Sequence, residues 1–144
     1  MAARGFRFGV QAARTTSREE WVEKAKRAEQ LGFDTFLMPD HFGEQLAPIP
    51  ALAVAAEATS SLRIGGFVFD NDYKHPVVLA KEIATIDLLS GGRFECGMGA
   101  GWLRPEYDAA GMPFDPAPVR ISRMEEGLRV MKGLWSDGTF SFSG

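Results

Sequence analysis

The feature that most narrows the fold is an alternation repeated four times, a short apolar run followed by a longer segment whose apolar residues recur at helical spacing. Phe6 to Val10 is short, aromatic and β-branched, and reads as the first strand. After the polar turn Arg14-Thr15-Thr16, Ser17 and Glu20 form a capping box. Trp21, Ala25, Ala28 and Leu31 then predict a helix from Arg18 to Leu31, stopped by Gly32. Thr35 to Met38 is a second strand broken by Pro39, and Pro50 opens an alanine-rich helix from Ala51 to Thr59. Leu62 to Val68 gives a third strand, and Pro76 opens a helix with Leu79, Ile83, Ile86 and Leu89 on one face before Gly91-Gly92. Phe94 to Met98 is a fourth strand, and a Gly/Pro-rich stretch from Gly99 to Pro118 reads as a long loop. Ile121, Met124, Leu128, Met131 and Trp135 mark a last helix. Thr139-Phe140-Ser141-Phe142 alternates like a strand beginning, so the sequence reads as interrupted at Gly144.

Strands alternating with helices of this length imply a parallel α/β sheet, because each helix must return the chain to the same end of the sheet. Two architectures stay open on pattern alone. A doubly wound sheet carries helices on both faces, whereas a (β/α)₈ barrel carries them all outside, with its active site in the loops after the strands. The composition, 45% hydrophobic and 24% charged over 144 residues, is that of a soluble globular domain. Sixteen Lys+Arg against 19 Asp+Glu, with no block of like charge, argue against a nucleic-acid partner. No segment approaches a signal peptide or a membrane span, so a cytoplasmic location is expected. One cysteine, Cys96, excludes an internal disulfide framework and a multi-cysteine metal cluster; sharing a strand face with Phe94 and Met98, it reads as a core thiol. No metal site is expected.

Four segments in order resemble the luciferase-like monooxygenase family, and particularly its branch using the deazaflavin coenzyme F420. They are Met38-Pro39-Asp40-His41-Phe42; Arg63-Ile64-Gly65-Gly66-Phe67-Val68; His75 to Glu82 leading to Leu88 to Arg93; and Gly97-Met98-Gly99-Ala100-Gly101-Trp102. With Glu106-Tyr107 and Arg120 to Trp135 following, the resemblance covers nearly the whole chain. It implies a (β/α)₈ barrel of which residues 1–144 form one domain, the N-terminal half with about the first four βα units. It implies an oxidoreductase moving a hydride between bound F420 and a small organic substrate. An FMN-dependent monooxygenase, or a non-catalytic half-barrel that only binds or associates, are the alternatives.

The candidate catalytic residues are His41 and Asp40. His41 falls just past the second strand, where a barrel's active site lies, and an imidazole there can exchange a proton near neutral pH. The resemblance implies that it faces the cofactor ring. Asp40 reads equally as its orienting group and as a turn residue. The candidate cofactor-binding residues are Gly65, Gly66, Phe67, Val68, Asn71, Gly99 and Gly101. Glycines inside a strand fit where backbone must bend or a ligand come close. The resemblance implies a bulge behind the ring, with a non-proline cis bond at Gly66-Phe67 or Phe67-Val68. Gly97-x-Gly99-x-Gly101 leads into a Pro-rich loop rather than a helix, which rejects a dinucleotide fingerprint. Trp102 stands where the family's sugar-phosphate dehydrogenases carry an acid, which speaks against sugar-phosphate oxidation; Glu106 is a candidate for a displaced acid, but a surface glutamate is the favoured reading. Four strands leave two unpaired edges and an inward face expected to be apolar, so a homodimer or a separate second half-barrel is the expected partner.

Overall fold

In the computed structural model, which describes residues 5–144, the chain runs β1 (Gly9–Gln11), α1 (Arg18–Gln30), β2 (Thr35–Met38), α2 (Pro48–Glu57), β3 (Arg63–Asp70), a 3₁₀ turn (Asn71–Tyr73), α3 (Pro76–Leu89), β4 (Phe94–Gly99), α4 (Arg104–Ala110) and α5 (Ala117–Leu134). The four strands are parallel and lie in chain order, β1-β2-β3-β4. There is no reversal of order, which a doubly wound sheet requires.

Side chains alternate across each strand, and one face is claimed by the helices. Phe36, Met38, Ile64 and Phe94 pack there with Trp21, Ala25 and Ala28 of α1, Leu52 and Ala55 of α2, Leu79, Ile83 and Ile86 of α3, and Met131 of α5. The Trp21 ring meets Phe36 edge-on at 5.3 Å and donates its indole N–H to the Ala51 carbonyl at 2.8 Å, so α1, α2 and β2 lock together without an orphaned polar atom. Helices covering a single face of a sheet in sequential order make this the arc of a (β/α)₈ barrel.

The opposite, concave face corrects the expectation of an apolar surface. Arg7 and Arg63 both pair with Glu95, the latter from Nε at 2.5 Å, and Arg7 also donates to Thr35 Oγ1 at 3.1 Å. Those charges sit among Gly65 and Gly97, with two large apolar side chains on the same face, Leu37 and the 60% exposed Phe67. A Cβ on Gly65 would collide with the Glu95 carbonyl and one on Gly97 with that of Gly66, so glycine here lets β3 and β4 lie close.

Several boundaries differ from the sequence reading. β1 is shorter, and Phe6 and Phe8 stand exposed before it. The second helix starts earlier, at Pro48. Leu89, Ile121 and Trp135 are exposed rather than on buried faces, and Cys96 is exposed on β4, not enclosed as a core thiol. Its surroundings still push the thiol up to about 11 by desolvation, so it stays protonated. The expected loop from Gly99 to Pro118 holds α4, opened by Pro105 and closed by Gly111 in the left-handed conformation at φ 68°. Thr139 to Phe142 pairs with no strand among the described residues; Phe140 lies over Gly133 of α5 instead.

Candidate active site

The C-terminal ends of β2, β3 and β4 converge on a pocket of about 260 Å³ lined by Pro39, Asp40, His41, Phe67, Val68, Asp70, Tyr73 and the run Gly99 to Leu103. A larger hollow of about 870 Å³ lies between the start of α3, α5 and the last residues of the chain. It holds none of the groups that meet at the strand ends, and chemistry at the C-terminal end of a parallel sheet identifies the smaller one.

β3 is built for this pocket by a bulge. Gly66 pairs with Cys96 and Phe69 with Met98, so β3 spends one residue more than β4 over the same span. The Phe67-Val68 peptide bond within the bulge is cis. Phe69 returns to the core, where its ring occupies the space beside Gly66 that a side chain would fill. Phe67 and Val68 are thereby turned into the pocket. Gly65 and Gly66 do not line it; they permit the bulge. On β4, a Cβ at Gly99 would come within 2.5 Å of Val68 Cγ2, so the strand end stays bare beside the bulge.

His41 and Asp40 both reach the pocket. Asp40 accepts the Asp70 backbone N–H at 3.2 Å and joins the loop after β2 to the end of β3. Burial raises the pKa of Asp40 and of Asp70 above the ordinary carboxylate value. Asp70 accepts the Tyr107 hydroxyl at 2.8 Å on each oxygen and caps the 3₁₀ turn by accepting the Asp72 N–H at 2.9 Å. Asn71 is not brought to the site: it is buried against Gly127 of α5 and lines the larger hollow.

The groups that sequence reasoning left out of the candidate site come mainly from α4. Glu106 Oε2 lies 2.8 Å from His41 Nδ1 and accepts the Tyr73 hydroxyl at 2.9 Å, while Oε1 accepts the Phe42 N–H at 3.2 Å. Its side chain is 14% exposed, which corrects the surface reading. Burial alone would raise this carboxyl, but the hydrogen bonds from His41 and Tyr73 prevail and hold it below its ordinary range. Burial, and then the bond to Glu106, push the Tyr73 phenol up. Trp102 stands edge-on to His41 at 6.1 Å and is 72% exposed, an aromatic wall at the mouth. Arg120, buried on α5, donates to the carbonyls of Ala100 at 3.0 Å and Gly101 at 3.3 Å and stacks on Phe114 at 3.9 Å, fixing the segment that leaves β4. The signal for α4 was present as Pro105 and Gly111 bracketing Glu106-Tyr107. Among the described residues no group of three or more His, Cys, Asp or Glu is placed to hold a metal ion, and no helix is long and apolar enough to cross a membrane.

Known proteins resemble this chain in sequence and fold. The profile of the luciferase-like monooxygenase family matches residues 5–144. An F420-dependent glucose-6-phosphate dehydrogenase of Intrasporangium calvum is 33% identical over 135 residues, 87% of this chain and 40% of that protein. An FMNH(2)-dependent dimethylsulfone monooxygenase of Pseudomonas putida is 31% identical over 126 residues, 83% of this chain and 34% of that protein. Among solved structures, an F420-dependent secondary alcohol dehydrogenase in complex with an F420-acetone adduct superposes with a TM-score of 0.83 at 26% identity, over 95% of this chain and 44% of that one. The chain therefore spans less than half the length of these relatives.

Proposed function

Since the chain belongs to the luciferase-like monooxygenase family, we propose that it forms the ring-binding half of an oxidoreductase that moves a hydride between coenzyme F420 and a small organic substrate. The observation that carries this is the convergence of His41, Asp40 and the Phe67-Val68 bulge on one pocket at the strand ends. Both solved-structure and sequence relatives named for F420 fit the reading.

The residues suit a planar ring. Phe67 and Val68 offer an apolar support, Gly99 and Gly101 leave backbone bare on the facing side, and Trp102 closes the mouth. When bound, the deazaflavin supplies the carbon that gives or takes the hydride. His41 contributes a polar ring nitrogen that bonds substrate oxygen or holds its proton. Asp40 ties the loop bearing His41 to β3 and keeps the imidazole at fixed distance from the bulge. Among the described residues the pocket lining carries Asp40 and Asp70 and no Lys or Arg, so this half favours an uncharged alcohol or carbonyl over a phosphate ester.

Among the described residues the outer edges of β1 and β4 are unpaired, and a second half-barrel or a second copy of the chain is proposed to cover them, which light scattering tests. Titration of the assembled protein with F420 and with FMN, followed by fluorescence quenching, tests the cofactor. Tighter F420 binding with no oxygen uptake is expected. Tighter FMN binding with oxygen consumption assigns the protein to the monooxygenase side, for which the Pseudomonas relative stands.

A further inference from the structure

A histidine beside a substrate can act in only one direction at each nitrogen: the neutral ring donates from one and accepts at the other, and the partner of the first decides the role of the second. In this site the partner is supplied by α4. Glu106 Oε2 stands 2.8 Å from His41 Nδ1 and already accepts the Tyr73 hydroxyl at 2.9 Å, and Oε1 accepts the Phe42 N–H. An ionised carboxylate has no proton to donate, so the hydrogen in the Glu106–His41 bond belongs to Nδ1. Three donors converge on one carboxylate that is 14% exposed, which leaves it little freedom to turn away. Among the described residues Nε2 has no hydrogen-bond partner, and the imidazole lines the pocket.

We infer that Glu106 is the positioning residue of His41: it holds the ring as the Nδ1–H tautomer and presents an unprotonated Nε2, an acceptor, to whatever occupies the pocket. Resting on the function proposed above, this specifies the substrate group as a hydroxyl or other O–H or N–H donor: in the oxidation of an alcohol Nε2 would take the hydroxyl proton, and F420, when bound, would supply the hydride acceptor. The O–H and C–H bonds would break and a C=O bond would form, the proton remaining on Nε2 and the hydride carrying off the two electrons.

The chain contains its own reference. Its other histidine, His75, caps α3 by accepting the Val77 N–H on Nδ1 at 3.3 Å, so its proton sits on Nε2. With ¹⁵N-labelled histidine at alkaline pH, where both rings are neutral, long-range proton–nitrogen correlation spectra are expected to show opposite tautomers for the two. Glu106→Ala is expected to convert His41 to the Nε2–H form and leave His75 unchanged, while Tyr73→Phe keeps Nδ1–H on His41. A wild-type His41 protonated on Nε2 overturns the inference without any variant, as does an Nδ1–H tautomer that survives Glu106→Ala. In turnover assays Glu106→Gln, which has one acceptor oxygen for two sides, is expected to lower kcat by about tenfold or more with KM nearly unchanged. A loss confined to KM argues against positioning. If the parent protein turns over with neither cofactor, the proposed function falls while the spectra still decide the role of Glu106.

Discussion

Gly101 offers the sharpest test of how the site is assembled. It leaves β4 at φ 75°, and a Cβ built there would overlap the Tyr107 hydroxyl and come within 2.8 Å of Asp70 Oδ2. An alanine in the left-handed region costs about 1 to 2 kcal/mol on backbone grounds alone. Displacing the Tyr107 hydroxyl from a buried carboxylate adds the loss of a charge-assisted hydrogen bond, about 1.5 to 3 kcal/mol. Gly101→Ala should therefore destabilise the chain by roughly 2.5 to 5 kcal/mol, the sum of those two ranges. Gly111, which closes α4 at φ 68°, is the control, since nothing lies within 4 Å of a Cβ there. Gly111→Ala should show only the backbone part, about 1 to 2 kcal/mol. Urea unfolding of both variants, followed by circular dichroism, measures the difference. Equal losses would mean that Tyr107 and Asp70 do not crowd Gly101, and the tie between α4 and β3 would have to be abandoned.

His41→Ala is expected to abolish most turnover of the assembled enzyme while costing under about 1 kcal/mol of stability, because the ring lies at the pocket and not in the packed core; turnover equal to wild type would remove His41 from the mechanism. Ile83, 5% exposed on the buried face of α3, gives the opposite pattern, with Ile83→Ala costing about 2 to 5 kcal/mol in denaturant titration. A loss well below that would show that the helix can settle into the gap. Glu29 predicts a pH effect: its Oε1 accepts the Ser61, Ser60 and Leu62 backbone N–H groups at 2.6, 2.9 and 2.9 Å, and these bonds, that of Ser61 foremost, lower its pKa from 4.5 to about 2. A depressed folded value means stability that is present above the unfolded pKa and lost as pH falls from about 4.5 toward 2. Glu29→Gln should flatten the part of the stability profile that falls in that window, and an unchanged acid limb would refute the assignment.

Most of the scaffold was legible because apolar spacing and punctuation agree. Ser17, Gly32, Pro76 and Gly91 bound helices whose buried residues, Trp21, Ala25, Ala28, Leu79, Ile83 and Ile86, fall where the pattern puts them. The pattern fails where neighbours decide. Leu89 continues the periodicity of α3 but lies 77% exposed on the chain's outside, and Cys96 shares the face of Phe94 without a helix over it. The concave face was misread because alternation tells which residues lie opposite the core, not that Arg7, Arg63 and Glu95 will neutralise one another there. At the site, His41, Asp40, Phe67 and Val68 were legible from short motifs. Asn71 does not line that pocket: its neighbours Asp70 and Tyr73 do, while its own side chain turns under α5.

The unread part, α4, shows what local pattern cannot carry. Its seven residues bury Tyr107 alone, too little periodicity to announce a helix. Yet Glu106 and Tyr107 are neighbours, about 100° apart around the helix axis, and that angle aims one at the loop after β2 and the other at the end of β3. Their partners, His41 and Asp70, are 65 and 37 residues away in sequence. One short helix thus sets two elements of the pocket at once. Because Tyr107 and the two tyrosine-to-carboxylate bonds hold α4 down, whereas no residue of α4 belongs to the main core cluster, loosening of α4 would release His41 and Asp70 together and leave the barrel arc folded. The pocket end is then less stable than the scaffold beneath it, and hydrogen exchange should find the amides of α4 opening before those of α1 and α3.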